Sequence, residues 1–311
     1  MEWLHSYDKE LQDVFAEARQ RIAAFPEPLN TKGLAYLEQF NVFQTNSHKN
    51  YICYLLPFWF REGYGLSNRD TSQMAVGNVL IMLYFFLQDD LMDSSSASAQ
   101  EILPLANLLY IQFLQIYMEL FAAEPVFWSS FGRYITEWAD SVSRENMADY
   151  FLTDQTGIAR KASPLKLSST AALLLSGQGD KAAEAECMLD TVLLTLQLLD
   201  DYEDWEEDLT EGSYNTLLAM VRNERGSSGS LPTSAEVREF IFTSGGLQRY
   251  MALAQTNQSK LATSSLNVPH LLAFHQALVS SLLQISAAIE EEKLRLKGGG
   301  LFYWLSKQQD L

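Results

Sequence analysis

Cysteine is scarce. The chain has two, Cys53 and Cys187, far apart and at no spacing that suits a metal centre or a disulfide framework, so both read as reduced core residues. Positive charge is scarce too: 22 Lys and Arg stand against 39 Asp and Glu, a formal net charge of -17. That balance excludes nucleic acid as a partner, because a phosphate backbone must be met by a basic field. It still admits a small diphosphate, provided that a divalent cation supplies the positive charge. The N-terminus, Met1-Glu2-Trp3-Leu4-His5, lacks the basic and apolar parts of a secretory signal. The longest near-apolar run, Val79 to Leu87, is short for a bilayer crossing, so no transmembrane segment is expected and the cytoplasm is the expected location. His48, His270 and His275 have no carboxylate or cysteine at metal spacing, and read as structural. Strand signals and fixed-period repeats are also lacking.

What remains is apolar, aromatic and helical. Hydrophobic residues make up 47% of the chain and aromatics 12%, enough for a substantial core and for the lining of an apolar cavity. Helical periodicity marks Leu4–Ala24, a start at Asp70-Thr71-Ser72-Gln73 that runs to Leu91, then Gln100–Ala122, Pro125–Leu152, Leu165–Ser176 and Lys181–Leu209. Ser234–Asn257 and Val268–Leu296 follow. Ser94-Ser95-Ser96-Ala97-Ser98 reads as a polar loop, and Asn223–Thr233 as a mobile one, with Gly226, Gly229 and Pro232. Gly298-Gly299-Gly300 ends the last helix before an aromatic tail, Phe302-Tyr303-Trp304. The expected fold is all-α: a single domain, residues 1–311, built as an antiparallel bundle of about ten helices around an apolar cavity.

Two acidic clusters carry the chemistry. The first closes an apolar helix as Phe85-Phe86-Leu87-Gln88-Asp89-Asp90-Leu91-Met92-Asp93. Asp89 and Asp93 share a helix face, with Asp90 beside them. Like charges at this spacing repel, and a helix C-terminus disfavours acids, so a bound cation would relieve both costs. The second follows Leu196-Gln197-Leu198-Leu199 as Asp200-Asp201-Tyr202-Glu203-Asp204-Trp205-Glu206-Glu207-Asp208, with no Lys or Arg among them. Either cluster alone could be a solvated helix end. As a pair, their all-oxygen donors suit Mg²⁺, which takes a few carboxylates and completes its shell with water and phosphate oxygens.

These residues resemble the motifs of the class I isoprenoid synthases. Asp89-Asp90-Leu91-Met92-Asp93 matches DDxxD, and Gln197 to Asp204 is similar to the QxxDDxxD motif of trans-prenyltransferases. The resemblance spans about Tyr51 to Asn215 in order and spacing. It implies a helical bundle around a hydrophobic pocket. It also implies Asp89, Asp90, Asp93, Asp200, Asp201 and Asp204 as Mg²⁺ ligands that take the diphosphate of a prenyl substrate. Gln197 belongs to the same motif. Lys161-Ala162-Ser163-Pro164-Leu165 is similar to the Lys-Thr helix break whose lysine contacts diphosphate. A second register stays open: Asp204-Trp205-Glu206-Glu207-Asp208 with Gly212-Ser213-Tyr214 resembles the DxxED pattern of squalene and phytoene synthases.

Further candidates for substrate contact are Lys161, Arg160 and Lys49 for diphosphate, Arg222 and Arg225 for closure of the mobile loop, and Tyr84, Phe85 and Phe86 for the isoprenoid tail and the carbocation. Chain-elongating members carry an Arg pair after DDxxD and a Gly-Lys-x-x-Arg patch upstream. Here no Lys or Arg lies between Asp93 and Arg133, and Ile52 stands where that upstream arginine would be. The expected activity is therefore a terpene synthase (cyclase) that ionises one allylic diphosphate, C15 or C20. The alternative is a prenyltransferase, elongating or head-to-head. A third class is a non-catalytic helical protein whose acidic patches bind a cation or a basic partner. A homodimer is compatible with any of them.

Overall fold

A computed structural model describes residues 5–93, 98–144, 149–226 and 230–297, with the side chains of Asp93, Leu296 and Lys297 left aside. Among these residues there is helix and no strand. The chain forms two compact units. One comprises Met1–Thr136, Ser163–Glu186 and Ser265–Leu271, and the other Glu137–Ala162, Cys187–Ser264 and Leu272–Leu311.

The first unit is organised by one long helix. Helices α1 (Asp8–Ala23), α2 (Leu29–Gln39), α3 (Tyr51–Tyr64), α4 (Asn68–Asp93) and α5 (Ala99–Leu120) follow in order, with α6 beginning at Pro125 and ending at Arg144. The central helix, α4, packs against α1, α3 and α5. Its buried residues, Met74 to Leu83 with few gaps and then Leu87, lie on all sides, as expected of a helix enclosed by others. The α2 and α3 helices were not anticipated from periodicity; α3 buries Ile52 through Phe60 without interruption, which leaves no amphipathic rhythm to read.

Pro57 sits inside α3 and removes the N–H that would bond the Cys53 carbonyl. Asn78 of α4 supplies the missing donor, Nδ2 to Cys53 O at 2.8 Å. That bond fixes α3 on α4. Cys53 is buried as expected, but Cys187 is exposed. Gly77 lets α5 come close, since a Cβ there would stand 2.9 Å from the Tyr117 ring.

In the second unit, the last part of α6 leads to two short helices, α7 (Tyr150–Thr153) and α8 (Gln155–Ala159), and a 3₁₀ turn, Arg160–Leu165. Helix α9 (Lys166–Leu175) returns the chain to the first unit, where it packs on α3 and α4. Then come α10 (Ala182–Glu203), α11 (Trp205–Glu211), α12 (Thr216–Glu224), α13 (Ser234–Phe242), α14 (Gly246–Leu261) and α15 (Pro269–Lys297).

Three expected helices are divided. Pro125–Leu152 is interrupted at Asp149, before Tyr150–Thr153; Lys181–Leu209 breaks at Asp204; Ser234–Asn257 breaks at Thr243–Gly245, where Gly245 has φ 71°. Leu198, Trp205, Leu217, Val237, Phe240 and Tyr250 form the core of this unit. His275 is fully buried and structural, with Nε2 2.8 Å from Thr195 Oγ1 and Nδ1 2.6 Å from Gln258 Oε1. Burial holds its imidazole down to about 4, so it stays neutral.

Two helices, Asn68–Met92 and Pro269–Arg295, are long and apolar enough in length and composition to cross a membrane, more than the run Val79–Leu87 suggested. Most of the first one's apolar stretch (61%) is buried in its unit, as in the core helix of a soluble protein; for the second the share is 22%. Of the expected polar loops, 94–97 and 227–229 lie outside the described residues, as do the three glycines at 298–300 and the aromatic tail. The start of the second loop is helical, because α12 continues through Glu224.

Candidate functional site

The first acidic cluster ends α4. Asp89 and Asp90 are both exposed there; Asp93 belongs to the helix, but its side chain lies outside the described residues. Tyr36 of α2 donates to Asp90 Oδ2 at 2.8 Å. Burial, this bond and the charges of Asp90 and Asp89 raise the Tyr36 phenol well above its ordinary value, so it remains a donor. Beneath it the Tyr36 ring meets Phe40 at 5.3 Å, and Phe40 lies on Phe86 at 5.1 Å. His48 packs 6.0 Å from Phe40, and its backbone N–H bonds Gln39 O at 2.7 Å. The loop bearing exposed Lys49 is thereby attached to the same patch. Tyr84, Phe85 and Phe86 are half-buried; Tyr84 contacts Phe85 and stacks on Tyr110, each at 4.9 Å. Ile52 is buried at 2% exposure, so its position faces the core rather than solvent.

The second cluster lies at the junction of α10 and α11. The two tandem aspartates point apart. Asp200 and Asp204 are exposed, whereas Asp201 is 3% exposed. Asp201 Oδ2 accepts the Thr216 N–H at 2.8 Å and Oδ1 accepts Gln197 Nε2 at 2.9 Å. Expected among the ligands, it instead ties the junction to the start of α12. Burial pushes its carboxyl up to about 6 despite these bonds. Gln197, expected to meet substrate, spends its amide on this carboxylate and, more loosely at 3.3 Å, on Asp200.

Asn215 completes the junction. Its amide donates to the Asp201 carbonyl and to Asp208 Oδ2, each at 2.7 Å, and its oxygen caps α12 through the N–H groups of Leu217 and Leu218. Sequence reading passed over it, although an Asn before Thr-Leu-Leu is a helix-start signal. Partial burial first, then Asp204, Glu203 and Asp208, raises the Asp200 carboxyl. Burial likewise raises Asp208, against the pull of Asn215 and of Lys161, whose charge reaches it.

The 3₁₀ turn at Arg160–Leu165 does break the helix where Lys161 lies, with Pro164 inside it. Three of the cations expected near substrate, Arg160 for the diphosphate and Arg222 and Arg225 for loop closure, are paired with carboxylates. Arg160 pairs with Asp154 at 2.8 Å, Arg225 with Glu236 at 2.9 Å, and Arg222 with Asp149.

No three His, Cys, Asp or Glu side chains among the described residues form a ready-made metal cage. Carboxylate oxygens are the donor type that a hard divalent cation takes, with phosphate and water completing its shell. Burial first, and then the charges of Asp204, Glu203 and Asp208, raise the Asp200 carboxyl. The donor chemistry of the residues present is compatible with a divalent cation.

No family model and no curated protein matches the chain. Solved structures do. A polyprenyl synthase from Caulobacter crescentus CB15, complexed with calcium and isoprenyl diphosphate, is similar with a TM-score of 0.66 and 16% identity, over 89% of this chain and 96% of its own. A geranylgeranyl pyrophosphate synthase gives 0.64 and 16% over 90% and 98%. A geranylgeranyl pyrophosphate synthetase from the archaeon Geoglobus acetivorans gives 0.64 and 15% over 87% and 98%. At such identities the likeness is one of fold: this chain has the all-α fold of the isoprenoid synthases.

Proposed function

We propose that the chain is a divalent-metal-dependent enzyme acting on a prenyl diphosphate, and that its reaction is prenyl transfer. The observation that carries this reading is the pairing of two aspartate-rich helix ends with a fold whose solved examples are prenyl synthases, one of them holding calcium and isoprenyl diphosphate. The comparisons thus favour the alternative of the sequence reading over its first choice, the cyclase. Asp89, Asp90 and Asp93 on α4, and Asp200 and Asp204 at the α10–α11 junction, are the proposed Mg²⁺ ligands. When bound, Mg²⁺ supplies the positive charge that turns a diphosphate into a leaving group. Asp201, with Gln197 and Asn215, fixes the helix break that sets Asp200 and Asp204 apart from the core. Lys161 is the proposed cationic contact to the diphosphate, and Phe85 and Phe86 the aromatic surface for the prenyl chain.

One observation supports the cyclase as a second reading. No Lys or Arg occurs between Asp93 and Arg133, and Ile52 is buried where an acceptor-binding arginine would be expected. Incubating the purified chain with Mg²⁺ and C10, C15 or C20 allylic diphosphates, with and without isopentenyl diphosphate, separates the two. Longer prenyl diphosphates that need isopentenyl diphosphate establish transfer. A hydrocarbon or alcohol made from one substrate establishes the cyclase, and no turnover of any of them overturns both.

A further inference from the structure

Helix α2 holds neither aspartate motif, yet its Tyr36 reaches the first one across 54 positions of sequence, with Oη 2.8 Å from Asp90 Oδ2. The approach is built, because the same two helices also meet one layer below. Tyr36 rests on Phe40, the residue that closes α2, Phe40 is buried, and Phe40 lies 5.1 Å from Phe86. Phe86 in turn precedes Asp90 by one turn of α4. An aromatic contact and a phenol bond therefore join α2 to the last turn of α4 at two successive levels. Together they set where the Asp90 carboxylate stands.

An exposed carboxylate beside another at a helix end would otherwise swing among rotamers, driven by repulsion. The phenol bond uses one lone pair of Oδ2 and leaves Oδ1 without a hydrogen bond among the described residues. We infer that Tyr36 is a positioning residue that holds Asp90 so that Oδ1 faces a divalent cation. This rests on the proposal that the α4 end binds metal. Tyrosine suits this role: a lysine or arginine would cancel the charge the cation needs, whereas a neutral donor orients the carboxylate and leaves that charge in place. Ordering the ligand beforehand removes the entropy cost of fixing it when metal arrives. Loss of such an outer hydrogen-bond partner commonly weakens metal binding by about 10- to 100-fold.

The test is Mn²⁺ binding to the full chain in the presence of inorganic pyrophosphate, read from the electron paramagnetic resonance of free Mn²⁺. Four proteins are compared: wild type, Tyr36→Phe, Asp90→Asn and the double variant. The Phe ring keeps its contact with Phe40, so the melting temperature of Tyr36→Phe in chelator should stay close to wild type. Its Mn²⁺ dissociation constant should rise about 10-fold. The double variant should bind no more weakly than Asp90→Asn alone, because Tyr36 acts only through Asp90. Unchanged or tighter Mn²⁺ binding by Tyr36→Phe overturns the assignment and leaves the proposed function standing. So does a large fall in melting temperature with affinity unchanged, the mark of a purely structural bond. Absence of Mn²⁺ binding by the wild type overturns both.

Discussion

Asp201→Asn should stabilise the metal-free protein at neutral pH. The Asp201 carboxyl is buried at 3% exposure, and burial raises it to about 6 from an ordinary 3.8. A group raised in the folded state binds its proton more tightly there than in the unfolded chain. Stability is therefore highest when Asp201 is protonated and falls as pH climbs from about 4 to about 6. A window of roughly two pH units corresponds to about 3 kcal/mol lost above it. Asparagine carries no charge, keeps an oxygen for the Thr216 N–H, and with both amides turned can donate to Gln197. In urea unfolding with chelator, the variant should exceed wild type by about 3 kcal/mol near pH 7.5, and the gap should close toward pH 4. A variant less stable than wild type near pH 7.5, or a gap indifferent to pH, would refute the reasoning. Either result would mean that the Thr216 and Gln197 bonds outweigh the cost of burying the charge.

Three other outcomes follow from the same geometry. Asp200→Ala should abolish turnover of a prenyl diphosphate yet leave the metal-free protein as stable as wild type or slightly more so, because Asp204, Glu203 and Asp208 repel the carboxylate removed; parallel activity and melting measurements check this. Asn215→Ala should cost about 2–4 kcal/mol in urea unfolding, from a lost helix cap and an unpaired buried carbonyl at Asp201. Phe86→Ala should change the length or skeleton of the products, read by gas chromatography, and should also lower metal affinity less than Tyr36→Phe does, since it leaves the phenol bond itself intact.

The helical class, the length of α4 and both acidic helix ends were legible in sequence, because they depend on neighbouring residues. Apolar runs that stop at tandem aspartates need no tertiary information to be noticed. The break at Asp204 was not legible. Nothing between Leu196 and Asp208 is a Gly or Pro, and the local pattern favours one helix throughout. What stops α10 is a set of contacts from further along: the Thr216 N–H on Asp201, and Asn215 on the Asp201 carbonyl and Asp208. For the same reason Asp201 looked equal to Asp200 in sequence, though the two have opposite surroundings. Charge alone also overstated the cations. Arg160 was read as a diphosphate contact and Arg222 and Arg225 as groups for loop closure, and in the fold each has a carboxylate beside it.

The two aspartate motifs share a physical arrangement that neither motif announces. In each tandem pair the structure fixes the second aspartate with neutral donors: Tyr36 for Asp90, and Gln197 with the Thr216 N–H for Asp201. The guanidinium groups of Arg160, Arg222 and Arg225 are meanwhile satisfied by Asp154, Asp149 and Glu236. This division has a consequence for binding. An arginine in place of Tyr36 would stabilise the helix end, but under the proposed function it would compete with a divalent cation for the Asp90 oxygens and lower their charge. At Asp90 a neutral donor gives direction without neutralisation. Under the proposed function, Asp90 meets its cation while oriented by a phenol that carries no charge of its own.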